Sequence, residues 1–419
     1  MNNQPLLQSD RDTSVTLDSN TIGENLNNAK ELRRNLIAFW ILGLCNNFGY
    51  VVMLSAAYNI MSVQNGEADT KKYPGFHCNK FSTGLILLAD VLPTLIIKLT
   101  APFYIQKVNY YIRVFIVVLL LAVSLLTLAF STSVGVSLFA VVLASASSGI
   151  GEITFLSIST HFHKTTVSAY SSGTGMAGVA GALSYAGLIA TGLSHKNTVL
   201  VLLFVPVIFA VAFLFILKMP NDIQFFSNTS KEEIPVLTHN IGQDQTKAMS
   251  TRMKLKLVLP LWRYMLPLFF VYLAEYTINQ GLYELVYYDV SWLSQGAQYR
   301  WFQVDYQIGV FLSRSSVNVF QIRKIIIPTL LQYVILIFVL LEVRFSFVPS
   351  LWIMLIVIFV EGLCGGAVYV NAFYLISENV DKGIREFSMG VASVADSFGI
   401  ALAGGIAIPI HDSLCRLKT

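Results

Sequence analysis

Apolar residues do not alternate along this chain; they run together in eleven stretches separated by short polar breaks. The stretches cover residues 35–61, 81–100, 114–130, 134–159, 171–193, 198–217, 257–285, 304–319, 325–341, 350–376 and 387–410. A helix rises about 1.5 Å per residue and a bilayer core is about 30 Å thick, so roughly 20 apolar residues make one crossing. Runs such as 114–130 are apolar on every face. That excludes a membrane barrel, whose strands would alternate in polarity. The eighth stretch is the most polar, holding Asp305, Gln307 and Arg314. The pattern predicts an all-α polytopic membrane protein with about eleven transmembrane helices.

Residues 218–256 break the apolar rhythm with Asn, Ser, Thr, Gln, Glu and Lys, and such a segment cannot bury a core. They predict a flexible cytosolic linker between a six-helix bundle at 35–217 and a five-helix bundle at 257–410. Residues 1–34 share the polar character and predict a disordered cytosolic tail, and 411–419 a short C-terminal tail. Six helices plus five about a polar linker is the organisation of transporter halves, which hold solute near the midplane between them.

Composition sharpens this picture. Of 419 residues, 55% are hydrophobic and 12% charged, where a soluble domain carries about a quarter charged residues. The net charge of +4 does not form a nucleic-acid patch, because the basic residues flank the apolar runs. With the N-terminus cytosolic, 20 of the 28 Lys and Arg residues fall on the cytosolic side, Lys98 and Arg113 among them. An odd number of crossings then puts Cys415 on the lumenal side. The cysteines Cys45, Cys78, Cys364 and Cys415 are scattered, without zinc spacing or a disulfide framework. No nucleotide-binding glycine loop, metal-ligand cluster or hydrolase triad is visible, so neither an enzyme nor a cofactor is expected.

Ionisable groups inside a span are costly and ordinarily face a cavity or a partner. At 100° per residue, Tyr272, Glu275, Tyr276, Asn279 and Tyr283 share one sector of the seventh helix, a polar face suited to a glycerol moiety or a proton. Gln280 adds neutral polarity beside it. Glu152 continues a stripe from Ser145 and Ser148, and Asp396 sits between Ser393 and Ser397. Glu361 stands ahead of Gly365 and Gly366 and reads as a packing anchor. Asp90 precedes Pro93 and reads as the cap of a broken helix. Asn46 and Asn47, with Tyr50 one turn on, suit solute contacts or interhelical bonds. An anionic solute would need a guanidinium, for which Arg314 and Arg385 are the candidates. Gly173, Ala177 and Gly181, four apart, form a small-residue ladder for close helix packing.

Longer strings carry a family resemblance: NLIAFWILGLCNNFGYVVMLSAA at 35–57, AEYTINQGLYEL at 274–285, QYRWFQ at 298–303, SRSS at 313–316, EGLCGGAVYVN at 361–371, REFSM at 385–389 and HDSLC at 411–415. Through them the chain resembles the battenin family over nearly its whole length outside the N-terminal tail and the linker. The resemblance implies a multi-pass protein of lysosomal and late-endosomal membranes. It also implies a major-facilitator type, distantly similar to equilibrative nucleoside transporters. The implied role is clearing glycerophosphodiesters such as glycerophosphocholine and glycerophosphoglycerol from the lysosome, with effects on lysosomal pH. The partners it implies are an anionic or zwitterionic phosphodiester and the lipid bilayer, with no nucleic acid.

Two features depart from the family. Four residues follow Cys415, one too many for a CaaX prenylation box. The Gly-Asp-basic loop signature of major facilitators is absent from 101–113. For lysosomal delivery the chain offers Leu6-Leu7, and Glu232 four residues before Val236-Leu237, as leucine-type signals for clathrin adaptor complexes. Two other readings stay open at this level: a non-transporting regulator of endolysosomal trafficking, and a transporter of a basic amino acid or nucleoside.

Overall fold

A computed structural model describes residues 19–64, 83–219, 258–289 and 295–418. The helices are α1 (Ser19–Gln64), α2 (Thr83–Thr100), α3 (Tyr110–Ala129), α4 (Val134–Ser159), α5 (Thr165–Ala190), α6 (His195–Val201), α7 (Phe204–Val211), α8 (Trp262–Thr277), α9 (Gln295–Ser315), α10 (Ile326–Phe345), α11 (Leu351–Asn379) and α12 (Lys382–Lys418). α6, α7 and the π turn Ala212–Ile216 make a single span. α8 runs on through a π turn, Ile278–Leu282, into a 3₁₀ turn, Tyr283–Leu285. Every apolar stretch of the sequence coincides with a helix, and no strand occurs among the described residues. Seven helical stretches are long and apolar enough to cross a membrane. Ile112, Phe115 and Leu119 on α3 and Leu330, Val334 and Ile337 on α10 face outward, as suits a surface solvated by lipid.

Local chemistry sets several helix starts. The side chains of Asn109, Ser133, Ser194 and Ser350 accept from Tyr111, Val136, Asn197 and Trp352 N–H groups at the starts of α3, α4, α6 and α11. α10 stops at Ser346, whose φ of 48° is left-handed and whose N–H closes on the Glu342 carbonyl.

α1 packs on α5 and α4, and α3 on α4; farther along the chain, α8 packs on α10, α11 and α12, and α9 on α11. The two groups meet chiefly along α2–α12, α5–α9 and α4–α12. The small-residue ladder works at the α1–α5 crossing. A Cβ at Gly173 would strike the Trp40 carbonyl, and one at Gly43 the Tyr170 carbonyl. These are backbone atoms that cannot swing away. Gly173→Val is therefore expected to cost at least about 1–3 kcal/mol, seen as a lower melting temperature of detergent-solubilised protein by fluorescence size exclusion. A parent-like melting temperature would show that α1 and α5 can separate freely.

Three expectations change. The polar N-terminal segment is helical from Ser19, not unstructured to residue 34. Its reason is docking: Arg34 donates to the carbonyls of Ile216 and Phe215, both at 2.7 Å, and Asn35 Oδ1 accepts from Lys218 N at 2.9 Å. The Arg34 contacts satisfy carbonyls left open where the sixth span ends, and Asn35 satisfies the Lys218 N–H just beyond it. At the other end α12 continues through 411–418, because His411 and Cys415 are buried there. Third, Cys415 is disulfide-bonded while Cys45 and Cys364 are free thiols. Sequence spacing could not reveal a pairing made by tertiary contact, and a sulfur so bonded is closed to prenylation. Cys78 lies outside the described residues, as do most of the 218–256 linker and the signals at Leu6, Leu7, Glu232, Val236 and Leu237.

Candidate functional site

The site begins with a defect in α2. Pro93 has no N–H to give, which opens the turn around it. The Ser145 hydroxyl of α4 fills the gap, donating to the Asp90 carbonyl while accepting from Thr94 N at 3.2 Å. Thr94 Oγ1 in turn donates to the Ser145 carbonyl at 2.6 Å. The Asp90 side chain takes no part in this repair, so the capping role expected for it is not the one it has. Both its carboxylate oxygens are buried without a hydrogen-bond partner among the described residues.

Two turns further, Lys98 is 2% exposed and lies between the bundles. Its ammonium is 2.7 Å from Glu152 Oε2 on α4 and 3.0 Å from Asp396 Oδ1 on α12. One cation thus holds two carboxylates that belong to different halves. Asp396 Oδ1 also accepts from the Ser397 hydroxyl at 3.0 Å, and Glu152 Oε1 from Tyr369 at 3.2 Å.

Arg314 approaches from α9. Its guanidinium stacks 4.2 Å from the Tyr369 ring centroid and donates to Thr174 Oγ1 at 2.8 Å and to the Tyr272 hydroxyl at 2.9 Å. Arg314 Nε has no partner, and no carboxylate within the described residues pairs with this cation. Tyr272 and Tyr276 pack at 6.0 Å between centroids, and Tyr50 donates to the Tyr276 hydroxyl at 3.3 Å. Apart from Thr174, these groups line, with Asn47, Ser148 and Ile400, an open cavity of about 520 Å³, its mouth included. Past this cavity, toward the α2–α3 and α4–α5 connections, the bundles are bridged. Glu386 accepts from Tyr110 at 3.0 Å and lies 3.9 Å from Arg113, and Lys164 is 3.2 Å from Glu378.

Of the candidates read from the sequence, Arg314, Glu152, Asp396, Tyr276 and Asn47 line this cavity. The others sit elsewhere. Asn46 ties α1 to α4 and α5 through the Ser148 carbonyl and the Tyr170 hydroxyl, both at 3.2 Å. Arg385 donates to the Val380 carbonyl, just past the end of α11. Asn279 and Gln280 lie in the π turn after α8, where Gln280 accepts from Tyr299 at 3.4 Å. Glu275 turns into the C-terminal bundle, accepting from Tyr306 and packing on Gly365, and Glu361 accepts from Tyr283 and Gln332. Lys98, Asp90, Tyr369 and Thr174 were missed. Lys98 had a visible signal, a lysine set inside the apolar run Leu95–Leu99, but a positive charge near a span end reads first as topology.

Among the described residues Glu275 has no salt bridge, and one of its oxygens has no hydrogen-bond partner. Glu275→Gln keeps an oxygen for Tyr306 to donate to. The variant is expected to fold with an unchanged melting temperature, and, if Glu275 carries a proton, to lose the pH dependence of flux. An unaltered pH profile would remove it from proton coupling.

A family model for the CLN3 protein matches residues 37–417. This chain belongs to that family. It is 43% identical to battenin of Canis lupus familiaris over 405 residues, covering 92% of each chain. It is 38% identical to protein BTN1 of Yarrowia lipolytica, covering 91% of this chain and 94% of that one. Among solved structures it resembles the human organic anion transporter MFSD10, with a TM-score of 0.60 at 14% identity, over 92% of this chain and 97% of that one. The chain therefore shares the fold of that transporter, and the cavity lies between its two helical bundles.

Proposed function

We propose that this chain is a lysosomal and late-endosomal transporter that exports glycerophosphodiesters by alternating access of its two bundles. Arg314 carries the reading. It is a buried guanidinium in the cavity between the bundles, with hydroxyl and aromatic neighbours but no carboxylate partner among the described residues. A buried cation without a salt-bridge partner favours an anion, and a planar guanidinium can give a phosphate two parallel hydrogen bonds. Tyr272, Asn47 and Ser148 supply groups for glycerol hydroxyls. The family resemblance to battenin and the fold shared with an organic anion transporter point the same way.

The test is efflux from proteoliposomes holding the purified chain and loaded with glycerophosphocholine or glycerophosphoglycerol. Saturable flux is expected, competed by other phosphodiesters and not by lysine, arginine or nucleosides. Folded protein that moves no phosphodiester would end this reading and leave a trafficking regulator or another cargo in its place. Location is read separately, from co-localisation of the tagged chain with lysosomal membranes.

A further inference from the structure

We propose that Asp90, with Tyr50 and Tyr276, forms a second subsite that takes an alkylammonium cation, so that the preferred cargo is a zwitterion. The proposal rests on Arg314 binding the phosphodiester end of the same solute.

The cavity contains two buried ionisable side chains of opposite kind that have no ion-pair partner among the described residues. One is Arg314. The other is Asp90, which is 0% exposed, lines the cavity and has no hydrogen-bond partner on either carboxylate oxygen among the described residues. The ammonium of Lys98 does not serve Asp90, since Glu152 and Asp396 hold it. A buried, unpaired carboxylate is costly. Its cost here is not that of mending α2, because Ser145 performs that task through the backbone. A cation in the cavity would offset it.

The surroundings of Asp90 suit an organic cation better than a metal ion. Tyr50 and Tyr276 line the cavity together with Asp90, and Tyr50 donates to the Tyr276 hydroxyl. Aromatic rings that share a cavity with a carboxylate can attract an alkylammonium group through cation–π interaction. A hard metal ion would instead want several oxygen ligands, and no cluster of potential ligands occurs among the described residues. Asp90 and Lys98 are eight residues apart on α2, which is about 12 Å along the axis. Arg314 adjoins the Lys98 end through Tyr369, whose hydroxyl bonds Glu152. A phosphodiester with a short aminoalkyl arm spans such a distance with a contact at each end.

The experiment compares glycerophosphocholine, a zwitterion, with glycerophosphoglycerol, which has no ammonium. In wild-type proteoliposomes glycerophosphocholine is expected to be preferred, and Asp90→Asn should reduce the ratio of the two affinities about tenfold. An unchanged ratio overturns the subsite. So does an equal loss of both fluxes together with a flattened pH profile, which would make Asp90 a proton carrier. A direct binding measurement stands apart from transport. Choline should bind the detergent-purified wild-type chain in calorimetry at least tenfold more tightly than its neutral isostere 3,3-dimethylbutanol. Equal binding of the two, or none, overturns the subsite even if Asp90→Asn fails to fold. Choline binding that depends on Asp90 in a protein that moves no phosphodiester would uphold the subsite and refute the transport reading instead.

Discussion

Lys98→Met is expected to deplete folded protein severely, by about 3–5 kcal/mol of stability, because it leaves Glu152 and Asp396 buried and facing each other. The intact cluster is compact: contacts of 2.7 Å and 3.0 Å from one ammonium, with both carboxylates nearly excluded from solvent. Its value lies in what removal exposes, so the effect should be non-additive. Adding Asp396→Asn to Lys98→Met removes one uncompensated anion and should recover a good part of the loss, and fluorescence size exclusion of the single and double variants measures this. If the double variant is no better than the single, the lysine contributes by packing and not by charge. The cluster also joins α2 and α4 to α12. Alternating access would have to break or swivel it, so a variant that survives should show altered flux.

Arg314→Ala should behave in the opposite way: folded, and nearly inactive. No carboxylate among the described residues forms a salt bridge with Arg314, and its truncation removes the hydrogen bonds to the hydroxyls of Thr174 and Tyr272 and the stacking on Tyr369. Loss of two charge-assisted hydrogen bonds to a phosphate is worth about 3 kcal/mol, roughly a hundredfold in affinity. Arg314→Lys keeps the charge but loses the paired geometry, and should fall about tenfold. The measurement is the concentration dependence of phosphodiester efflux, with melting temperature as the control for folding. Wild-type affinity in both variants would take Arg314 out of the solute site.

Individual residues show how far sequence reasoning reached into the cavity. Glu152, Asp396 and Arg314 were legible because a charge inside an apolar run has few explanations. Glu275 was legible for the same reason, yet helical periodicity places a residue on a face without saying what lies opposite. Tyr272 and Tyr276 open onto the cavity, whereas Glu275, between them in sequence, meets Tyr306. In the sequence Pro93 offers a local explanation for Asp90, and only the Ser145 hydroxyl arriving from α4 shows that the explanation fails.

By itself the sequence determined that this chain lives in a bilayer as a helical bundle. Long apolar runs can satisfy their backbone groups in lipid only as helices, and that requirement is local to each run. Its strings also determined the family. Which charges meet was decided by tertiary structure alone, since Lys98, Glu152 and Asp396 are separated by 54 and 244 residues of chain. Partner choice inside a membrane depends on which helix faces are brought together and which polar groups are left without one. A residue's own neighbours in the chain do not contain that information.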